Sequence, residues 1–195
     1  MAYFPMFIDL NVENCLIVGG GSVALRKVQV LLDFGARIHL VAKTISEEIR
    51  EIAKGTDRLF LEERVFEPDE AQGYRLVVVA TNDNDLNKRI SEICNLRSIP
   101  VNVVDDKENC SFIFPSYLKS GDIVGAFSSG GKSPYLTQYL RDKMRDSITP
   151  EIGQINDKLG EIREQLKETC PDENERKRML KKIVDDFISS PNFAS

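Results

Sequence analysis

The sequence predicts an α/β fold: a parallel sheet built from βαβ units and covered on both faces, followed by a small α+β region and a helical tail. Three observations carry this. Apolar runs without alternation, Cys15-Leu16-Ile17-Val18 and Arg75 to Ala80, suit strands buried on both sides. The glycine cluster Gly19-Gly20-Gly21 joins the first run to residues suited to starting a helix. From Ser111 the strict alternation of strand and helix stops, and Glu151 to Ser195 reads as helical and highly charged.

The glycine turn is the first functional signal. Gly19 and Gly21 fit the first two glycines of a dinucleotide fingerprint, with Ala24 in the third slot, where a small residue lets helix and strand pack closely. Gly19, Gly20, Gly21, Ser22 and Val23 would bring backbone donors to a pyrophosphate at the positive end of a helix over Ser22 to Asp33. Gly35 suits the end of that helix, and Ala36 to Ala42 supplies a second strand, completing a βαβ unit of about 30 residues and hence a Rossmann-like domain. The fingerprint expects an acid at the end of that strand, on the ribose 2′-hydroxyl, yet the chain reads Val41-Ala42-Lys43-Thr44. Lys43 would favour a 2′-phosphate, whereas the backbone with Thr44 would hold a plain ribose, so this position leaves NAD and NADP both open.

The other elements follow in order. Phe4 to Leu10 is apolar but interrupted by Pro5, which suggests an edge strand or a segment packed across the first strand. Ile45, Ile49 and Ile52 recur at helical spacing, with Ser46 as cap and Glu47-Glu48 favourable in the first turn. Leu59 to Val65 reads as a strand and Phe66 to Gln72 as a polar connection. Arg75 to Ala80 ends at Thr81-Asn82-Asp83-Asn84-Asp85, beyond the carboxyl end of a parallel strand, where ligands of such sheets sit. Thr81 and Asn82 are the expected cofactor contacts of this cluster, and Asn84 or Asp85 the cap of the next helix. Ile99 to Val104 is the last strand of this unit and stops at Asp105-Asp106.

Beyond it, Ser111 to Pro115 and Asp122 to Phe127 look like two strands joined through a Ser120-Gly121 turn. Ser128 to Pro134 is dense in hydroxyls and glycines and leads into a helix with Pro134 at its first position. It reads either as a flexible turn or as a second anion site, with Lys132 and Arg141 nearby. In the tail, Ile152, Ile155, Leu159, Ile162 and Leu166 make a narrow seam, Pro171 breaks the run, and Met179 to Ile188 carries a second stripe.

Composition excludes several classes. With 195 residues the chain can bury one good core and an appended smaller unit. A net charge of -5 argues against a nucleic-acid binder. No apolar run approaches the ~18 residues of a membrane span, and Met1 to Pro5 lacks the pattern of a signal peptide, so a cytoplasmic protein is expected. The cysteines, Cys15, Cys94, Cys110 and Cys170, never form a C-x-x-C pair, which argues against a zinc or iron-sulfur site. His39, the only histidine, falls inside a predicted strand and is expected to be packed and hydrogen-bonded, leaving acid-base chemistry to carboxylates, lysines or tyrosines.

These residues carry a family likeness. Val18 to Gly21 with Val23-Ala24 and Arg26-Lys27, Leu31-Leu32, Gly35-Ala36, Ala80 to Asp83, Asn102 to Asp105, Ser111 to Ile113 with Pro115, and Ser128 to Gly131 with Ser133-Pro134 resemble, in order, the precorrin-2 dehydrogenase family. This is the dehydrogenase/ferrochelatase module of siroheme synthases. The match runs from about residue 3 to 150, and the tail agrees in kind only.

The resemblance implies NAD-dependent oxidation of precorrin-2, a tetrapyrrole, to sirohydrochlorin and, in bifunctional members, insertion of ferrous iron to give siroheme. It implies a homodimer with an NAD-binding domain over 1–113, a dimerisation region over 114–147 and a helical domain over 148–195. It places the essential aspartate on Asp105, with any transient ferrous iron near it, and it favours NAD despite Lys43. At a strand end facing the cofactor, Asp105 could accept the proton that leaves with a hydride; as a bare turn residue it would merely cap with Asp106. The implied substrate carries many carboxylates, for which Asn102, Ser128, Ser129, Lys132, Ser133 and Arg141 are the candidate partners. A non-catalytic NAD-sensing module is the competing reading; it leaves the matches at Asn102 to Asp105 and Ser128 to Pro134 unexplained.

Overall fold

The computed structural model describes residues 3–189, and the chain divides between Phe114 and Pro115 into two compact units. The first unit holds β1 (Asn14–Val18), α1 (Ser22–Asp33), β2 (Arg37–Ala42), α2 (Glu47–Lys54), β3 (Leu59–Glu63), β4 (Leu76–Val79), α3 (Asn84–Leu96) and β5 (Val101–Val103). All pairings are parallel and the order is β3-β2-β1-β4-β5. The chain therefore winds outward from β1 in one direction and returns to build the other half, so the order reverses between β1 and β4. A crevice outside the carboxyl ends of those two strands follows from that topology.

Successive residues of each strand feed opposite cores. Ile17, Leu40 and Val78 pack with Val28 and Leu31 of α1 and Ile49 of α2. Leu16, Val41 and Val77 pack with Ile90 and Cys94 of α3. Both faces are thus covered, which is why the strands read as unbroken apolar runs.

Several local expectations are revised. Residues 3–10 form no strand, and Phe4, Met6 and Phe7 are exposed. The connection after β3 contains a short 3-10 turn, Pro68–Ala71, closed by a reciprocal capping box between Glu67 and Glu70. The cap of α3 is Asp83, not Asn84 or Asp85: the helix starts at Asn84, and the Asp83 carboxylate accepts from the Leu86 amide at 3.0 Å.

The second unit begins with an antiparallel hairpin, β6 (Ser116–Ser120) and β7 (Ile123–Phe127), turning at Gly121 with φ +56°. Its first strand lies downstream of the expected Ser111 to Pro115. That segment serves the first unit instead: the Ser111 hydroxyl accepts from the Val101 amide at 2.8 Å, and Phe112 and Phe114 pack on the α1 side of the core. Then come α4 (Pro134–Lys143), α5 (Pro150–Thr169) and α6 (Glu173–Ile188), with Pro134 at the start of α4 and Pro171 between the last two. Residues 190–195, assigned above to the helical domain, lie outside the described residues, as do Met1 and Ala2. No helix among the described residues is long and apolar enough to cross a membrane.

Candidate functional site

The glycine turn leaves β1 with no side chains in the way. Gly19 has φ +122°, and a Cβ there would overlap the Ala80 carbonyl oxygen. A Cβ at Gly20 would overlap the Thr44 carbonyl oxygen, while one at Gly21 would meet nothing within 4 Å. Gly21 is also the N-cap of α1, which has neither a side-chain cap nor an acidic residue in its first turn. The first amides of α1 are therefore open donors at the positive end of a twelve-residue helix, a fit for a phosphate group.

A cavity of about 590 Å³ opens at this point. Gly19, Gly20, Gly21, Ser22 and Val23 from the turn, Ala42, Lys43 and Thr44 from the end of β2, and Thr81 and Asn82 from the end of β4 all line it. The fold thus brings every residue expected to touch a dinucleotide into one cleft. Thr81 enters it with its side chain engaged: the hydroxyl donates to Asn87 Oδ1 and accepts from the Asp83 amide at 3.1 Å. Its carbonyl also accepts from Asn87 Nδ2 at 3.1 Å, so its amide and methyl group are what remain for a ligand.

A second cleft of about 610 Å³ holds Asp105 and shares Val23, Ala80, Thr81 and Asn82 with the first. Asp85, Lys88, Asp106 and Asn109 also line it. Asp105 is exposed and has φ +59°, a conformation that short polar residues tolerate better than most. The neighbouring Asp106 is taken up by Asn109, whose side chain donates to it at 2.6 Å. Asp105 accepts no hydrogen bond from any described residue, so of the two it is the carboxylate available to a ligand.

Of the remaining expected substrate contacts, only Asn102 belongs to this unit. Asn102 lies outside both clefts, 8% exposed, and its amide donates to the Phe112 carbonyl at 3.1 Å and to Cys110 Sγ at 3.5 Å. It ties the 110–112 segment to β5. In the second unit the hydroxyls close their own loop: Ser128 accepts from the Gly130 amide, Ser129 from Ser133, and Ser133 caps α4 through Leu136. Arg141 pairs with Asp142 at 2.8 Å, and Lys132 is exposed.

The lining residues not expected in advance include Arg64 and Phe66. Arg64 follows β3 directly, and its amide donates to the Ala42 carbonyl at 2.9 Å, which places it beside the end of β2. The rule that ligands sit beyond the ends of parallel strands would have flagged it, had the end of β3 been read as closely as that of β2. Arg64 belongs to a chain of polar groups. His39 meets the Tyr74 hydroxyl through Nδ1 and Glu62 through Nε2 at 3.0 Å, and Glu62 meets Arg64 Nε at 2.6 Å. Arg64 then forks onto Glu70 at 2.8 and 2.5 Å. The guanidinium holds both glutamates below the ordinary carboxylate range. His39 is thus packed and hydrogen-bonded, as its position in a strand suggested.

Among the described residues no group of three or more His, Cys, Asp or Glu side chains is arranged to hold a metal ion, and all four cysteines are free thiols.

A family model described as putative NAD(P)-binding matches residues 6–116. The chain is 37% identical over 194 residues to the Siroheme synthase of Nitrosomonas eutropha, covering all of this chain and 41% of that protein. It is 38% identical over 185 residues to the Siroheme synthase of Thioalkalivibrio sulfidiphilus, covering 95% and 38%. The chain thus spans about two fifths of the length of the curated relatives it matches. Among solved structures, SirC, precorrin-2 dehydrogenase, aligns with a TM-score of 0.72 and 26% identity, over 98% of this chain and 92% of that one.

Proposed function

Because the chain belongs to the NAD(P)-binding family of the precorrin-2 dehydrogenases and the dehydrogenase module of siroheme synthases, we propose that it oxidises precorrin-2 to sirohydrochlorin with NAD, as a cytoplasmic homodimer. The observation that carries this reading is the adjacency of the two clefts. A dinucleotide-type cleft and a cleft holding an unengaged carboxylate share Val23, Ala80, Thr81 and Asn82, so a cofactor and a substrate can meet across one wall.

When bound, the nicotinamide dinucleotide supplies the hydride acceptor. The residues of this chain do the rest. The first-turn amides of α1 and the bare Gly21 hold the phosphates, without a cation. Asp105 accepts the proton that the tetrapyrrole loses as its hydride departs, since its carboxylate has no other described partner and stands next to the cofactor wall. Lys88, in the same cleft, offers a positive charge to a substrate carboxylate. Ferrous iron, if inserted, is a second substrate, and Asp105 is the group placed to take up the pyrrole protons that iron displaces.

The test is anaerobic turnover of precorrin-2 with NAD, followed by addition of ferrous iron, reading NADH and the tetrapyrrole spectrum. NADH with sirohydrochlorin that stays metal-free makes the chain a dehydrogenase alone; accelerated conversion to siroheme makes it bifunctional. Protein that binds NAD and yields no NADH would overturn the catalytic reading.

A further inference from the structure

The cleft lacks the acid that in dinucleotide-binding domains grips the ribose 2′-hydroxyl from the end of the second strand. Lys43 occupies that strand end, and Arg64 lines the cleft beside it, so two cations face the place where NAD and NADP differ. By charge alone the pair would favour a 2′-phosphate. The structure around Arg64 argues the opposite.

Each of the three guanidinium nitrogens is already donating. Nε reaches Glu62 at 2.6 Å, Nη1 reaches the Val65 carbonyl at 3.1 Å and Glu70 at 2.8 Å, and Nη2 reaches the other Glu70 oxygen at 2.5 Å. Both carboxylates are held from behind. Glu70 accepts from the Glu67 amide at 3.1 Å in the capping box of the 3-10 turn, and Glu62 keeps its second oxygen 3.0 Å from His39 Nε2. Swinging either one away breaks a second contact, so the fork of Arg64 is engaged by Glu70 and a single Nη2 N–H is left for an incoming phosphate. Two glutamates against Lys43 and Arg64 also leave the four groups with no net charge. A 2′-phosphate, carrying about -2, would have to displace a carboxylate and sit beside the one it displaced.

We propose that Arg64, clamped between Glu62 and Glu70, is the specificity-determining residue of this cleft and makes it select the dinucleotide without a 2′-phosphate. The carboxylates behind Arg64 come from β3 and the turn after it; neither lines the cleft, and they exclude a 2′-phosphate without gripping the ribose. This rests on the reading of the cleft as a nicotinamide dinucleotide site and adds to it the residue that chooses between the two forms.

The test is direct titration of the full chain with NADH and with NADPH, following the fluorescence of the reduced cofactor. Wild-type protein is expected to bind NADH at least about tenfold more tightly than NADPH. In Glu62→Gln/Glu70→Gln, where glutamine keeps an acceptor for the capping box, NADPH affinity should rise about tenfold or more while NADH affinity moves less than about threefold. Adding Arg64→Met to that double variant should abolish the gain. Equal affinities in the wild type, or an unmoved ratio in the double variant, would overturn the inference and leave the cofactor reading standing. Failure to bind either dinucleotide would overturn both.

Discussion

Gly19 lies directly against Ala80, so closely that a Cβ at Gly19 would overlap the Ala80 carbonyl oxygen. This contact joins the carboxyl ends of β1 and β4 at the point where the strand order reverses, and Ala80 lines both clefts. The three glycines of the turn therefore carry different loads. Gly19→Ala combines a forbidden φ with overlap and should cost about 2 kcal/mol or more of unfolding free energy in urea. Gly21→Ala, at φ -92° with open space around it, should stay within about 1 kcal/mol of wild type while lowering NADH affinity about tenfold or more, because its methyl group stands where a phosphate approaches the helix. Equal loss of stability in both would remove the distinction.

Asp105→Asn is the informative substitution at the proposed base. Asparagine tolerates a φ of +59° as aspartate does, so the turn survives. Turnover of precorrin-2 should fall about 10²- to 10⁴-fold with NADH affinity unchanged. A fully active Asp105→Asn protein would assign the proton to another group.

Lys27 places its Nζ 3.7 Å from the centre of the Phe114 ring. Burial pushes its amine down from 10.5 to about 8, against a smaller upward influence of Cys110. The unfolded chain therefore binds more protons between about pH 8 and 10.5, and this group's contribution makes stability rise with pH across that window. Burial raises the thiols of Cys15 and Cys94 from 9.0 to about 11, so theirs falls as pH climbs from about 9 to 11. Urea unfolding should show a rise from pH 8 to 9 that Lys27→Met abolishes. The same variant should gain about 1 kcal/mol at pH 7, a figure discounted for partial exposure. A loss of stability at pH 7 would mean that the ring contact outweighs desolvation.

Asn102 serves the fold, on the evidence of its hydrogen bonds. Asn102→Ala leaves the Phe112 carbonyl without that donor and should cost about 1–3 kcal/mol with NADH affinity intact. A substrate contact would show instead as a raised KM in a protein of unchanged stability.

Gly153 of α5 packs against the hairpin of the second unit: an added Cβ would lie 2.7 Å from Ser120 Oγ and 2.9 Å from the Ser120 carbonyl oxygen. Alanine would gain up to about 1 kcal/mol of helix propensity at this position. The clash with backbone should outweigh it, and a net loss of about 1–2 kcal/mol in thermal unfolding is expected. A more stable Gly153→Ala protein would show that α5 can shift at little cost.

The fold class was legible because its signals are local. Buried runs, a glycine turn and strand-helix alternation are properties of adjacent residues, and they located β1, α1, β2, α2 and β4 closely. Errors fell where a segment's partner is distant in sequence. Ser111 to Phe114 has the composition of a strand, yet it is held by Val101 and the α1 side of the core, so the hairpin starts at Ser116. Asp83, Asn84 and Asp85 are all competent caps, and only the start of the helix chose among them.

The sequence by itself determined that a dinucleotide-type turn lies between Val18 and Ala24 and that polar strand ends surround it, because backbone geometry at glycine and burial of apolar runs need no long-range information. Only the tertiary structure decided how side chains at those ends are engaged. It set Asp105 apart from Asp106, turned Asn102 inward to Phe112, and bound Arg64 between Glu62 and Glu70. A hydrogen bond depends on angles and distances between groups many residues apart, and the parallel sheet is what brings those groups within reach.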